Sequence, residues 1–387
     1  MIASSRSKAF ALLSGVIVGF LLAIAVGYHL NDYSKPGHFK RFHQRISPEG
    51  LFYPTFTMLE NLALAGWSPG KTMVIIGGSS VLKGVGQTEP ELWSSLLQKE
   101  LGNGYAVVNL AFSGGAPGEG GALVTESMIR RGVPVIYVAD SGPLVRYSAY
   151  GNIYGYLYWD ALYKHRLLPF PARDAACAQW EKSLLPKERT QQQELQRSAQ
   201  LDAFLHFQAL WETAAYRHLF TVWNFLVPRE WWKPRQVFPD NEPEAPPVEE
   251  RFHDSFFESD MHLLRVLTSS QTDTDGHGGF VMRQEKVKAV QKAISEVFHP
   301  ALQPRMIMLL TQNCPYHRDR LKPDERQRDK FVYDEFQKIF QANGIACAVV
   351  GQDFVTEDYK DRVHLTPSGG RKMTGIVLEQ IHKLEAR

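Results

Sequence analysis

Ser80 stands in the run Gly78-Ser79-Ser80-Val81-Leu82-Lys83-Gly84, directly after the apolar stretch Thr72–Ile76. A serine in a tight turn after a buried strand presents its hydroxyl at the edge of a sheet. Backbone N–H groups beside it can then face a developing oxyanion. Far along the chain, Asp361-Arg362-Val363-His364 places a carboxylate and an imidazole on one loop. Histidine serves as a general base near neutral pH, and a carboxylate on its other nitrogen fixes the tautomer and stabilises the imidazolium. Between them lies Asn109-Leu110-Ala111-Phe112-Ser113-Gly114-Gly115. Glycine lets the backbone approach a substrate closely, which makes the Gly114 N–H a second oxyanion donor beside that of Ser80. Taken singly these are common features: Gly/Ser turns also bind phosphate or simply turn, and many Asp-x-x-His pairs sit on surfaces. Their order along the chain points to nucleophilic chemistry at an acyl carbonyl.

Such groups need a scaffold, and the surrounding pattern supplies one. Thr72–Ile76, Ala106–Leu110, Pro134–Val138, Arg305–Leu310 and Ile345–Val350 read as short buried strands. Thr88-Glu89-Pro90-Glu91 is a capping-box pattern for a helix stopping at Gly102, and a second helix ends at Arg130-Arg131-Gly132. A charged amphipathic helix runs through Phe340 to Asn343-Gly344, and Thr366-Pro367 opens the last. Alternating strands and helices predict an α/β fold, a three-layer sandwich around a five-stranded, mostly parallel sheet. Functional groups in such sheets gather at the carboxyl ends of the strands. All three motifs above fall there.

That order resembles the SGNH (GDSL-like) hydrolase family, whose first block reads Gly-Asp-Ser-x-x-x-Gly. Gly78-Ser79-Ser80-x-x-x-Gly84 is similar, with serine in place of the aspartate. The resemblance implies Ser80 as nucleophile, Gly114 as oxyanion glycine, and Asp361 and His364 as the base pair. The chain departs from the family's third block, Gly-x-Asn-Asp. Here the strand ends Val138-Ala139-Asp140-Ser141-Gly142-Pro143, with Ser141 about where the asparagine belongs. Ser141 is therefore expected as the third oxyanion donor, with Asn152 or a residue of the following segment as the alternative.

The remainder of the chain frames this domain. Ala9 to Tyr28 run 20 residues without a formal charge, preceded by Arg6 and Lys8. Such a run spans about 30 Å as a helix, the thickness of a bilayer's hydrocarbon core. It is read as a transmembrane signal anchor over residues 1–30, with a cytoplasmic N-terminus and the body outside the cytoplasm. A cleaved signal peptide, processed near Ala23-Ile24-Ala25, is the rival. Residues 31–70 are then a stem, 71–143 and 305–387 the two halves of the domain, and 144–304 a large, mainly helical insertion placed as a cap. The insertion carries an aromatic stretch in which Tyr147 and Tyr150 are candidate substrate contacts, a Trp-rich segment and the linker PDNEPEAPPVEE. The aromatics suit a cap core, a sugar-stacking platform, or, around Trp231-Trp232-Lys233, a membrane-facing surface. His317, after the fourth strand, is a further candidate substrate contact.

A formal charge of +2 over 387 residues leaves nothing pointing to nucleic acid. Cys177, Cys314 and Cys347 lie apart, without zinc spacing or a disulfide framework. Asp273-Thr274-Asp275-Gly276-His277-Gly278-Gly279 holds possible ligand atoms but reads better as a loop. No metal or cofactor is expected. In organisation the chain is similar to the D-alanyl transfer protein of teichoic-acid synthesis and to envelope polysaccharide acetylation proteins. That similarity implies ester hydrolysis or acyl transfer on an extracytoplasmic polysaccharide or glycolipid, with the membrane, a glycan or acyl donor and a membrane-bound acyltransferase as partners. The alternatives are a membrane-lipid lipase or thioesterase, and a non-catalytic glycan-binding assembly protein.

Overall fold

A computed structural model describes residues 10–19, 21–22, 56–87, 91–111, 115–141, 161, 165–183, 185–187, 189–190, 193, 252 and 257–386. The described strands are β1 (Thr72–Ile76), β2 (Tyr105–Asn109), β3 (Val135–Ser141), β4 (Thr272–Thr274), β5 (Phe280–Met282), β6 (Met306–Thr311) and β7 (Ala346–Val350). The helices are α1 (Phe56–Ala65), α2 (Ser80–Lys83), α3 (Trp93–Leu101), α4 (Gly120–Arg130), α5 (Pro171–Ser183), α6 (Phe257–Ser269), α7 (Gln284–Val297), α8 (Pro315–Arg318), α9 (Pro323–Ala342) and α10 (Pro367–Glu385).

Five strands form one sheet in the order β2-β1-β3-β6-β7, every neighbouring pair parallel. Side chains alternate across a strand, so each strand feeds two cores. Met73, Ile75, Val135, Tyr137, Met306 and Met308 pack with residues of α1, α4, α7 and α9 on one face. Val74, Ile76, Ile136, Val138, Ile307 and Leu309 pack with Trp93 and Leu97 of α3 and Met373, Val377 and Ile381 of α10 on the other. Burial on both faces is why these strands read as unbroken apolar runs. The chain leaves β1 for β2 on one side, then returns to β3 on the other. The carboxyl ends of β1 and β3 therefore flank a topological switch point, where α/β sheets place their ligands.

Several boundaries differ from the sequence expectation. β3 continues past Val138 to Ser141, because β6 pairs with it through Asp140↔Leu309 and Ser141↔Leu310. Helix α3 begins at Trp93, where Gln87 Oε1 accepts the Trp93 N–H at 2.9 Å; part of the expected box, residues 88–90, lies outside the described residues. Part of the expected stem is domain: Phe56, Leu59 and Ala63 of α1 are fully buried, and Glu60 accepts from Ser127 Oγ of α4 at 2.5 Å. Likewise Val290, Ile294 and Val297 of α7 belong to the main core, so the insertion yields to the domain before residue 305. The described elements of the insertion include helices α5 and α6 and the β4–β5 hairpin. Of the expected anchor, residues 10–19 and 21–22 are described and helical, with Phe10, Leu12, Leu13, Val16 and Ile17 exposed. Among the described residues, no helix is long and apolar enough to cross a membrane.

Candidate active site

β1 ends against two glycines that leave no room for side chains. A Cβ on Gly77 would stand 2.5 Å from Tyr137 Oη and 3.1 Å from Gly121 Cα, and one on Gly78 would collide with Asp140 Oδ1. Gly78 also holds φ +101°, a left-handed backbone that favours glycine. The chain thereby turns sharply into α2, with Ser79 as its N-cap and Gly84 as its left-handed C-cap. Ser80 is the first residue of that short helix.

Ser80 Oγ lies 2.7 Å from His364 Nε2, and His364 Nδ1 lies 2.6 Å from Asp361 Oδ2. The other Asp361 oxygen accepts the N–H groups of Val363 and His364 at 2.9 and 2.8 Å. Burial alone would raise the Asp361 pKa, but the His364 ring and these amides outweigh it and hold the carboxyl down at about 2. Asp361 is thus a charged acceptor throughout the neutral range, which keeps the proton on Nδ1 and leaves Nε2 to accept from Ser80. The three residues singled out from the sequence meet at the carboxyl ends of β1 and β7.

The loop carrying Asp361 and His364 is fastened from two sides. The Lys360 N–H donates to the His364 carbonyl at 2.8 Å, and the Cys314 N–H donates to the Arg362 carbonyl at 2.8 Å. Arg362 reaches away from the triad, donating to Asn313 Oδ1 at 2.7 Å and pairing with Asp260 of α6 at 3.0 Å. Arg362, between the two catalytic candidates in sequence, ties their loop to the insertion.

Opposite, the last turn of β3 contributes Asp140. Its Oδ1 accepts the Ser79 N–H at 2.7 Å and its Oδ2 accepts the Ser79 hydroxyl. Burial pushes its pKa up, against the pull of the Ser79 hydrogen bonds and the nearby His364. Ser141, the expected third oxyanion donor, is fully buried at the end of β3; the side chain reaching the nucleophile turn is that of Asp140. Gly114, Tyr147, Tyr150 and Asn152 lie outside the described residues. His317, expected to touch substrate, is packed away instead. It is 2% exposed, edge-on to Phe252 and Tyr316, with Nε2 3.9 Å from Asp260. Burial lowers its pKa against the attraction of Asp260.

The remaining groups near the strand ends have structural duties. Asn109, closing β2, donates to the Leu82 carbonyl at 3.0 Å and accepts the Ala111 N–H at 3.1 Å. Glu119, before α4, accepts the Ala116 N–H at 2.9 Å while its Oε1 is buried with no hydrogen-bond partner among the described residues, and burial pushes its pKa up to about 8. Burial likewise pushes the Cys314 thiol up to about 11, away from thiolate chemistry. Asp275, in the expected loop, closes the β4–β5 hairpin by accepting the N–H groups of His277 and Gly279, each at 2.8 Å. Among the described residues, no group of three or more His, Cys, Asp or Glu could hold a metal ion.

No protein-family model matches the chain, and comparison with curated proteins gives no match. The functional reading therefore rests on the site.

Sequence reasoning missed Asp140 and the Arg362–Asp260 pair. A signal for the first was present: an ionisable residue ending an apolar strand must find a buried partner. The second joins residues far apart in sequence and carried none.

Proposed function

We propose that the protein is a serine-dependent acyl hydrolase or O-acyltransferase of the SGNH type. The carrying observation is the Ser80–His364–Asp361 relay, with 2.7 and 2.6 Å contacts between groups on two separate strand ends. In this reading Ser80 Oγ attacks the acyl carbonyl as its proton passes to His364 Nε2. The imidazolium is stabilised by Asp361, and the proton then goes to the departing alcohol oxygen as the C–O bond breaks, leaving an acyl-Ser80 ester. Water or a sugar hydroxyl then gives a proton to His364 and attacks that ester, and the proton passes from His364 to Ser80 Oγ as the acyl C–Oγ bond breaks. The backbone also supports an oxyanion donor. The Ser79 N–H is taken by Asp140 and the Val81 N–H by Ser79 Oγ at 3.2 Å, which leaves the Ser80 N–H beside the nucleophile.

The exposed apolar side chains at residues 10–19 support a membrane-anchored protein, and Arg6 and Lys8 ahead of them in sequence support a domain outside the cytoplasm. Its substrate in this reading is an acyl ester of an envelope polysaccharide or glycolipid. A fluorophosphonate probe should label the purified protein at Ser80, and Ser80→Ala should abolish both labelling and the modification of the glycan in cells. Unchanged glycan in the Ser80→Ala strain and no labelling of the wild type would sink the catalytic account. With a labelled acyl donor, free acid marks hydrolysis and label on glycan marks transfer.

A further inference from the structure

Asp140 is a buried carboxylate in direct contact with the nucleophile turn, and the serine relay does not use it. It lies at the topological switch point, on β3, the strand that flanks β1 opposite β2. Its two oxygens take both donors of Ser79, the backbone N–H and the hydroxyl. The Ser79 hydroxyl oxygen in turn accepts the Val81 N–H, and the Ser79 carbonyl accepts the Lys83 N–H at 3.1 Å. Three successive amides open this turn. Two are bound, at residues 79 and 81, and the one between them belongs to the nucleophile. Gly78 has no side chain because the Asp140 carboxylate occupies the place where a Cβ would go.

We propose that Asp140 is the positioning residue of the nucleophile turn: by holding both donors of Ser79 it sets the Ser80 hydroxyl against His364 and leaves the Ser80 N–H to receive the oxyanion. This rests on the serine-chemistry reading and adds to it a residue outside the Ser-His-Asp relay. A carboxylate suits the task because one planar group accepts from a backbone amide and a side-chain hydroxyl at once. An asparagine can do most of it, its oxygen accepting the Ser79 N–H and its NH₂ donating to the Ser79 oxygen. Alanine can do none of it. A displacement of about 1 Å in such a constellation costs on the order of 100-fold in rate.

The test compares wild type, Asp140→Asn and Asp140→Ala in the full chain, each checked for folding by circular dichroism. Labelling by a fluorophosphonate is resolved into probe affinity and maximal labelling rate. Asp140→Ala should lose about 30- to 100-fold in maximal rate with probe affinity within about threefold of wild type, whereas Asp140→Asn should recover to within about threefold. A folded Asp140→Ala protein labelled at the wild-type rate overturns the proposal. So does an asparagine variant as slow as alanine, which would point to charge in place of positioning. Asp140→Leu, which fills the site without an acceptor, repeats the alanine arm should that protein not fold.

Amide hydrogen exchange at Ser79 reads the clamp without any reactivity. The amide should be protected in wild type and in Asp140→Asn, and exchange at least about tenfold faster in Asp140→Ala or Asp140→Leu. Equal exchange in all the variants overturns the proposal. A wild type that never labels, yet shows the protected amide, sinks the serine-chemistry reading and with it the catalytic use of the clamp, while leaving the clamp itself in place.

Discussion

The two loops that meet at Ser80 and His364 are held by different means. The nucleophile turn is enclosed: Gly77 and Gly78 lie in close contact with Tyr137 and Asp140, and Asp140 grips Ser79 from within the sheet. The base loop is more open. His364 and Asp361 side chains are 20% and 46% exposed, and their geometry is set by Asp361 accepting amides of its own loop. One of its ties to the rest of the molecule runs outward, through Arg362 to Asp260 of the insertion, at 23% and 31% exposure. A nucleophile must sit at one place for its attack, and buried contacts with no space to relax provide that. A base that passes a proton between serine and substrate must reach both, and locally closed hydrogen bonds hold it there without full burial. The insertion's contacts with the domain are themselves unequal. Near its start the Arg173–Glu126 pair, 2.5 Å apart, is almost fully buried, whereas near its end Asp260 meets the base loop at a half-exposed site.

The contrast can be broken most severely at the meeting point itself. Ser80→Ala and His364→Ala should each lower fluorophosphonate labelling at least about 10³-fold while leaving the melting temperature near that of wild type. Next comes the enclosed turn. Gly78→Ala must adopt a left-handed φ and place a methyl against Asp140, which should cost about 2–3 kcal/mol in urea unfolding and slow labelling as well.

Two carboxylates should then separate by pH. Glu119, raised from 4.5 to about 8, binds its proton more tightly in the folded state. Wild type should therefore lose stability relative to Glu119→Gln as pH rises from about 4.5 to 8, with the difference between them constant below that window. Asp361, lowered from 3.8 to about 2, has the opposite sign. Its contribution is whole above about pH 4 and fades as pH falls towards 2, so melting curves of wild type and Asp361→Asn should converge there. Smallest is the outer tie of the base loop. Asp260→Ala removes a half-exposed pair and should cost about 0.5 kcal/mol by urea titration, with labelling slowed less than about threefold. A cost like that of Gly78→Ala would show that the base loop is held as firmly as the nucleophile turn.

The sheet was legible because burial on both faces writes strands as short apolar runs. All five parallel strands appear within a residue or two of where the pattern put them, apart from the end of β3. That end was hidden because Asp140 and Ser141 are polar, and only pairing with β6, across the whole insertion, keeps them in the strand. Helix α1 read as stem because its burial depends on α4, which the chain reaches only after two strands. The three residues that meet at the site could be named because Ser80 follows its strand directly, and Asp361 and His364 are local to one another.

By itself, then, the sequence determined which elements form and which residue types stand at their carboxyl ends, since local periodicity and turn chemistry decide those. Tertiary structure alone decided that Ser80 reaches His364, that Asp140 grips the turn carrying Ser80, and that His317 is interior. Each of these is a contact between segments far apart in the chain, where side-chain direction depends on how strands pair and where burial leaves no room for anything else.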